Sequence, residues 1–329
     1  MNPKKALVGI AVAALSLSLV GCTVGTAADT KPKEEAAAAE PASTFPEKPI
    51  TLIVQANPGG GSDLSSRALA DQLSRILDTD IIVENRPGAG GATAMEYVAG
   101  LPADGYTLGF GPVEIAMLNT TQGADVLPEN YDLLGQIMLA PGVISVSADS
   151  PHQTLEDLIA AAKGQPLTVG NSGTGSIWEA AAKALAGESG AQFTNVPHEG
   201  GAPAVAAVIG GQIDAVVSGA GEAKAGNDDG TLRVLAVLHD EEHPNFPGIP
   251  TAAEAGYPLE FGGWGGIYAP AGLPTDVHAT LEAAIKEAVA SDEYQAFQKN
   301  AGNLVVYRNS ADWTTFVNEQ FTRFAELLG

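Results

Sequence analysis

The amino-acid sequence predicts an α/β fold of two lobes, each a mainly parallel sheet flanked by helices. Three observations carry that expectation. Short apolar runs of strand length alternate with longer stretches of helical period, the pattern of parallel strands joined through helices. Gly-rich turns recur after a strand and before a helix. The chain has 329 residues. The part beyond its N-terminal segment exceeds a single domain of about 100–200 residues.

Strands are expected over 50–55, 81–84, 107–110, 143–146, 167–169, 193–196, 215–218 and 234–237. Helices are expected over 63–77 and 92–99, from Thr154, and over 275–290, 292–301 and 310–328. Thr154 and Asp157 have the spacing of a capping box, in which hydroxyl and carboxylate each accept the other residue's backbone N–H. No Ser/Pro-rich linker divides the chain, so crossings between lobes are expected inside structured segments, near 140–141 and near 264–268. That assigns 45–141 and 265–329 to one lobe and 142–264 to the other.

The N-terminus reads as a processing signal. Lys4 and Lys5 precede an apolar stretch over 6–20, too short for a comfortable membrane span. It ends in Leu19-Val20-Gly21-Cys22, the form of a lipobox. The expectation is a signal peptide over 1–21, a lipidated Cys22 that anchors the protein to the cell membrane, and a flexible tether over 22–44. The tether holds Pro and charge but almost no large apolar residue, so burial cannot offset its ordering entropy. Cys22 is the single cysteine. The body therefore has no disulfide, no thiolate metal site and no Cys nucleophile.

The net charge of −23 makes nucleic acid and anionic lipid surfaces poor partners. It does not identify a ligand, because a pocket's local dipoles can oppose the global field. Four Gly-rich turns mark candidate binding positions: Gly59-Gly60-Gly61-Ser62-Asp63, Gly88-Ala89-Gly90-Gly91-Ala92, Ser172-Gly173-Thr174-Gly175-Ser176, and His198-Glu199-Gly200-Gly201. Ligands of open α/β sheets bind at the carboxyl ends of strands, where a following helix presents unpaired N–H groups to an anion. None of the turns fits a phosphate loop, a dinucleotide fingerprint or a nucleophile elbow.

These turns, with Phe45-Pro46-Glu47-Lys48-Pro49, Glu84-Asn85-Arg86-Pro87, Ala103-Asp104-Gly105-Tyr106, Gly210-Gly211-Gln212-Ile213-Asp214, Pro250-Thr251-Ala252-Ala253-Glu254-Ala255-Gly256-Tyr257 and Ala269-Pro270-Ala271-Gly272-Leu273-Pro274, follow one another in an order that resembles the substrate-binding proteins of the tripartite tricarboxylate transporter family, the Bug or TctC type. The resemblance runs from Phe45 to the C-terminus. It implies a periplasmic-binding-protein-like clamp that closes on a small carboxylate and delivers it to membrane permease subunits. Family ligands include di- and tricarboxylates, aromatic acids and acidic amino acids, held largely by backbone N–H groups and ordered waters. It assigns the first two turns to one lobe. The last two turns and the segment holding Ser218, Gly219 and Glu222 fall to the other. Many members carry Tyr where His198 stands, and some carry Asp-Asn near Ser218-Gly219.

Several of these residues have a plainer reading beside the binding one. Asp63 caps a helix as readily as it reads a ligand, and Glu222 suits an amino group or a solvated helix start. Trp178 and Trp264 fit a cleft wall or a core. His239 and His243 are four apart, but Asp240 follows the first and Pro244 the second, so a charged loop is preferred to a metal helix. The expectation is a monomeric binding protein without catalytic residues, metal or cofactor. The alternatives are a secreted α/β hydrolase or lyase acting on a small organic acid, and a tethered ligand sensor.

Overall fold

The computed structural model describes residues 44–328. The expected signal peptide, Cys22 and the tether up to residue 43 lie outside the described residues.

The chain order is β1 (Ile50–Val54), α1 (Gly61–Leu77), β2 (Ile81–Asn85), α2 (Ala92–Ala99), β3 (Thr107–Pro112), α3 (Leu118–Gln122), β4 (Tyr131–Ser147), α4 (Leu155–Gly164), β5 (Leu167–Asn171), α5 (Ile177–Ser189), β6 (Phe193–Pro197), α6 (Gly201–Ile209), β7 (Ala215–Gly219), α7 (Ala220–Asp228), β8 (Leu232–Leu238), β9 (Gly262–Pro270), α8 (Thr275–Ala290), α9 (Asp292–Asn300), β10 (Arg308–Asn309) and α10 (Ser310–Leu328). Among the described residues no helix is long and apolar enough to cross a membrane. The expected capping box is present: Thr154 accepts the Asp157 N–H at 3.1 Å and Asp157 accepts the Thr154 N–H at 3.2 Å.

Strand β4 organises the sheet. Residues Tyr131 to Pro141 pair with β9, and residues Gly142 to Ser147 pair with β7 and β8. One half of the sheet therefore runs β2-β1-β3-β9-β4 and the other β4-β7-β5-β6, with β10 and β8 also bonded to β4. The sheets are mixed rather than mainly parallel. The outer strands β2-β1-β3 and β6-β5-β7 are parallel, as helical crossovers require. The central pairings are antiparallel: β9 with β3 and with β4, and β4 with β7 and β8. The strand expected at 143–146 is the end of a 17-residue strand. Residues 264–268, where the sequence leads one to expect the return crossing, lie within β9, whose pairing with β4 begins at Gly262 opposite Pro141.

Burial explains the apolar runs. Ile50, Leu52 and Val54 of β1 are buried with Leu69 and Leu73 of α1, Leu281 and Ile285 of α8 and Tyr294 of α9. Ile53 faces the opposite layer, with Met95 and Val98 of α2. A strand covered on both faces reads as continuous hydrophobicity.

The passing strands are rich in glycine because aromatic rings lie on them. A Cβ at Gly109 would stand 2.1 Å from the Tyr268 ring, and one at Gly265 would stand 2.3 Å from Phe110. At Gly266 it would meet the Gly135 carbonyl at 2.4 Å and the Trp313 ring of α10 at 2.5 Å. Trp313 is fully buried and cannot retreat. Gly266→Ala is expected to lower stability by about 1–3 kcal/mol through overpacking. The check is urea unfolding, with a lower midpoint and an unchanged slope.

Candidate functional site

A cavity of about 540 Å³ opens between the two halves of the sheet. Its walls include the first turns of three helices: Gly61, Ser62 and Ser65 of α1, Ile177 and Trp178 of α5, and Gly221 and Glu222 of α7. Each helix follows a strand whose carboxyl end faces the same region, because all three leave the parallel part of a half. Phe110, Pro112, Met138 and Trp264 supply apolar surface, and Phe297, Ala301 and Asn303 close the α9 side.

Of the residues singled out from the sequence, Gly61, Ser62, Ser172, Gly219 and Glu222 line this cavity. The remaining candidate binding residues are not part of its wall. Asp63 is 1% exposed, and its oxygens are committed within its own half. It accepts the Gly59 N–H at 2.8 Å and the Asn85 amide at 2.8 Å, and it pairs with Arg67 at 2.9 Å. Burial alone would raise this carboxyl. The hydrogen bonds from Arg67, Gly59 and Asn85, with the Arg67 charge, reverse the effect and hold it below the usual carboxylate range.

Gly60 is the residue before α1 and leaves its helix start without a side-chain cap. In the second turn Gly88, Ala89, Gly90 and Gly91 all have positive φ. That chain reversal brings Gly91 against Gln55 and Gly90 against Gln122. Gln55 also donates to the Ser62 hydroxyl at 3.0 Å, so it joins the first and second turns. Ala92 begins α2 and is buried.

In the other half, Ser172 faces the cavity while Gly173 donates to the buried Asn171 side chain at 3.0 Å. Thr174 is exposed, and Ser176 caps α5 by accepting the Glu179 N–H at 3.2 Å. Gly175 donates to the Glu179 carboxylate at 2.6 Å and lies against Thr121 of the first half. His198 lies outside the cavity wall. Its Nδ1–H donates to the Val196 carbonyl at 2.9 Å. Ser218 is fully buried beneath the wall. Gly200 precedes α6, and Gly201 backs the Glu222 carboxyl so closely that a Cβ would overlap it at 2.1 Å.

Glu114, just past β3, was not singled out from the sequence, and it lines the cavity opposite α7. Burial pushes its carboxyl above the usual range, with only its own backbone N–H acting the other way. Burial likewise raises Glu222, although solvent in the cavity reaches it, and the Gly219 N–H at 2.8 Å opposes the rise. Trp178 and Trp264 serve both as core and as cavity wall. Among the described residues no group of three or more His, Asp or Glu could hold a metal ion. His239 pairs with Asp240 at 3.0 Å, while His243 is buried with its Nδ1 accepting the Asn245 N–H.

The chain matches the family described as tripartite tricarboxylate transporter family receptor, TctC, over residues 65–329. It is 32% identical over 283 residues to the UPF0065 protein in gbd 5'region of Cupriavidus necator, covering 84% of this chain and 86% of that protein. A TctC solute-binding protein from Polaromonas, solved without ligand, superposes with a TM-score of 0.78 at 29% identity, covering 86% of this chain and 99% of that one. R. palustris Rpa4515, solved with adipate, superposes with a TM-score of 0.76 at 28% identity, covering 86% and 97%.

The Asp63 network generates a pH test. Because its carboxyl is held low, its stabilisation is present above the ordinary value of 3.8 and is lost as pH falls through the lowered folded value. Asp63→Asn is expected to lower the Tm at neutral pH, with the difference from the parent closing on acidification. A difference independent of pH would show that the charge is not what Asp63 contributes.

Proposed function

The chain belongs to the tripartite tricarboxylate transporter receptor family, whose members are solute-binding proteins rather than enzymes, and on that premise we propose that it captures a small carboxylate in the cavity between its lobes and delivers it to a membrane permease. The observation that carries this reading is the convergence of three helix starts, those of α1, α5 and α7, on one cavity. A helix N-terminus favours an anion by about 0.3–1 kcal/mol, and more when partly buried. Charge-assisted hydrogen bonds add about 1.5–3 kcal/mol each. A few of each suffice for micromolar affinity, near −8 kcal/mol. That R. palustris Rpa4515 was solved with adipate supports the ligand class.

The lobe boundaries follow the partner switch in β4. We place the hinge at Pro141-Gly142 and at the entry to β9, so that 45–141 with the C-terminal segment moves against the part between. The two sides already touch at the cavity rim. A Cβ on Gly221 of α7 would stand 2.4 Å from the Ala301 carbonyl beyond α9. The proposed clamp closes on this contact around its ligand. Lipid anchoring through Cys22 is part of the same reading. It rests on the lipobox and holds the receptor at the membrane where the permease lies. The sequence-level alternative of a hydrolase or lyase is set aside by the family.

Titration of the purified protein with adipate, citrate, glutamate and 4-aminobutanoate tests the reading. At least one acid is expected to raise the Tm with dose, the stabilisation reaching about 2.7 kcal/mol at a hundredfold excess over Kd. No response to any acid would sink the carboxylate reading. Gly221→Ala is expected to weaken binding about tenfold. The stability of the unliganded protein should stay within about 0.5 kcal/mol of the parent. Unchanged affinity would remove the rim contact from the closing mechanism.

A further inference from the structure

The acids at the three helix starts are treated differently. At α1, Asp63 closes the Gly-rich turn through the Gly59 N–H and is neutralised four residues on by Arg67. At α5, Glu179 does the same through the Gly175 N–H and is neutralised four residues on by Lys183 at 3.3 Å. At α7, Glu222 takes the Gly219 N–H, but the residue four further on is Gly226. The nearby Lys224 is committed to Asp228. Glu222 therefore keeps an uncompensated charge, and it faces the cavity. Glu114 faces the same cavity with its own backbone N–H as its hydrogen-bond partner. Among the described residues no Lys, Arg or His lines the cavity, while Trp178, Trp264, Phe110 and Phe297 do.

A ligand with two carboxylates would bring a second negative charge beside both glutamates, with no base among the lining residues to offset it. Aromatic faces and carboxylates together suit the opposite charge. We propose that the ligand of this cavity is a small acid that also carries a positively charged nitrogen, its carboxylate at the α1 turn around Gly61 and Ser62 and its nitrogen against Glu114, Glu222 and the tryptophan rings. This assignment rests on the carboxylate-receptor reading and narrows it to ligands without net negative charge. Burial raises both glutamate carboxyls in the unliganded protein, and a bound cation would relieve that strain on the ionised forms.

Matched acids separate the two levels of the argument. Adipate and 6-aminohexanoate have the same carbon chain, and one end changes from carboxylate to ammonium. Succinate and 4-aminobutanoate form a second pair. Calorimetric titration at neutral pH is expected to show the amino acid of at least one pair binding about tenfold or more tightly than its diacid. Glu114→Gln and Glu222→Gln are each expected to remove most of that preference. Gln at 222 can still accept the Gly219 N–H, and thermal unfolding of each variant checks that the fold is retained. Diacids binding the parent protein as tightly as their amino partners, or more tightly, would overturn this inference and leave the carboxylate reading standing. Binding of neither member of either pair would overturn both. A preference that survives both substitutions would overturn the assignment of the nitrogen to these glutamates.

Discussion

The structure depends on one strand that changes partners along its length. Over Tyr131 to Pro141, β4 is held by β9, and from Gly142 it is held by β7 and β8. The change occurs at a glycine with no room for a side chain. A Cβ at Gly142 would meet Trp178 at 2.9 Å, Leu238 at 3.0 Å and the Phe261 carbonyl at 3.0 Å. Because the two halves share this strand, their parallel outer parts stand with strand ends and helix starts facing a common space. The cavity is a consequence of that geometry rather than of any single loop.

The cavity wall is built from groups that also hold the fold. Trp178 and Trp264 are 7% and 4% exposed, and Trp264 meets Trp313 edge-on at 6.4 Å between ring centroids. The Gly-rich turns are closed by acids from the following helix, as with Asp63 and Glu179, so their geometry is set before a ligand arrives. Preformed turns lower the ordering cost that binding must offset. Glu222 shares the turn-closing role without a neutralising base, and it is where structural and binding demands meet.

Much of this was legible in the sequence, and the exceptions share a cause. Helices such as 92–99, 275–290 and 310–328 stand where their helical period placed them. The inner parallel strands β1, β5 and β7 were legible because burial on both faces writes a continuous apolar run. The first part of β4 and all of β9 were not. Gly135, Pro141 and Gly142 in one, and Gly262, Gly263, Gly265 and Gly266 in the other, carry the usual signature of turns. Here most of them make room for rings and carbonyls from neighbouring elements, contacts that local sequence does not encode. The cavity was legible at its helix starts, since Gly61, Ser62, Ser172, Gly219 and Glu222 stand in turns of the expected kind. Glu114 follows β3 with no Gly-rich turn between, so only the fold brings it to the others.

The rim contact between Gly221 and the Ala301-Gly302 backbone has a bearing on timing. A meeting of two bare backbones buries little apolar area, so it adds little to the free energy of the apposed arrangement. With so small an intrinsic bias, the populations of open and shut forms are set by differential affinity for whatever occupies the space between them. If the proposed closure holds, the time spent shut would then report occupancy more than chance closure.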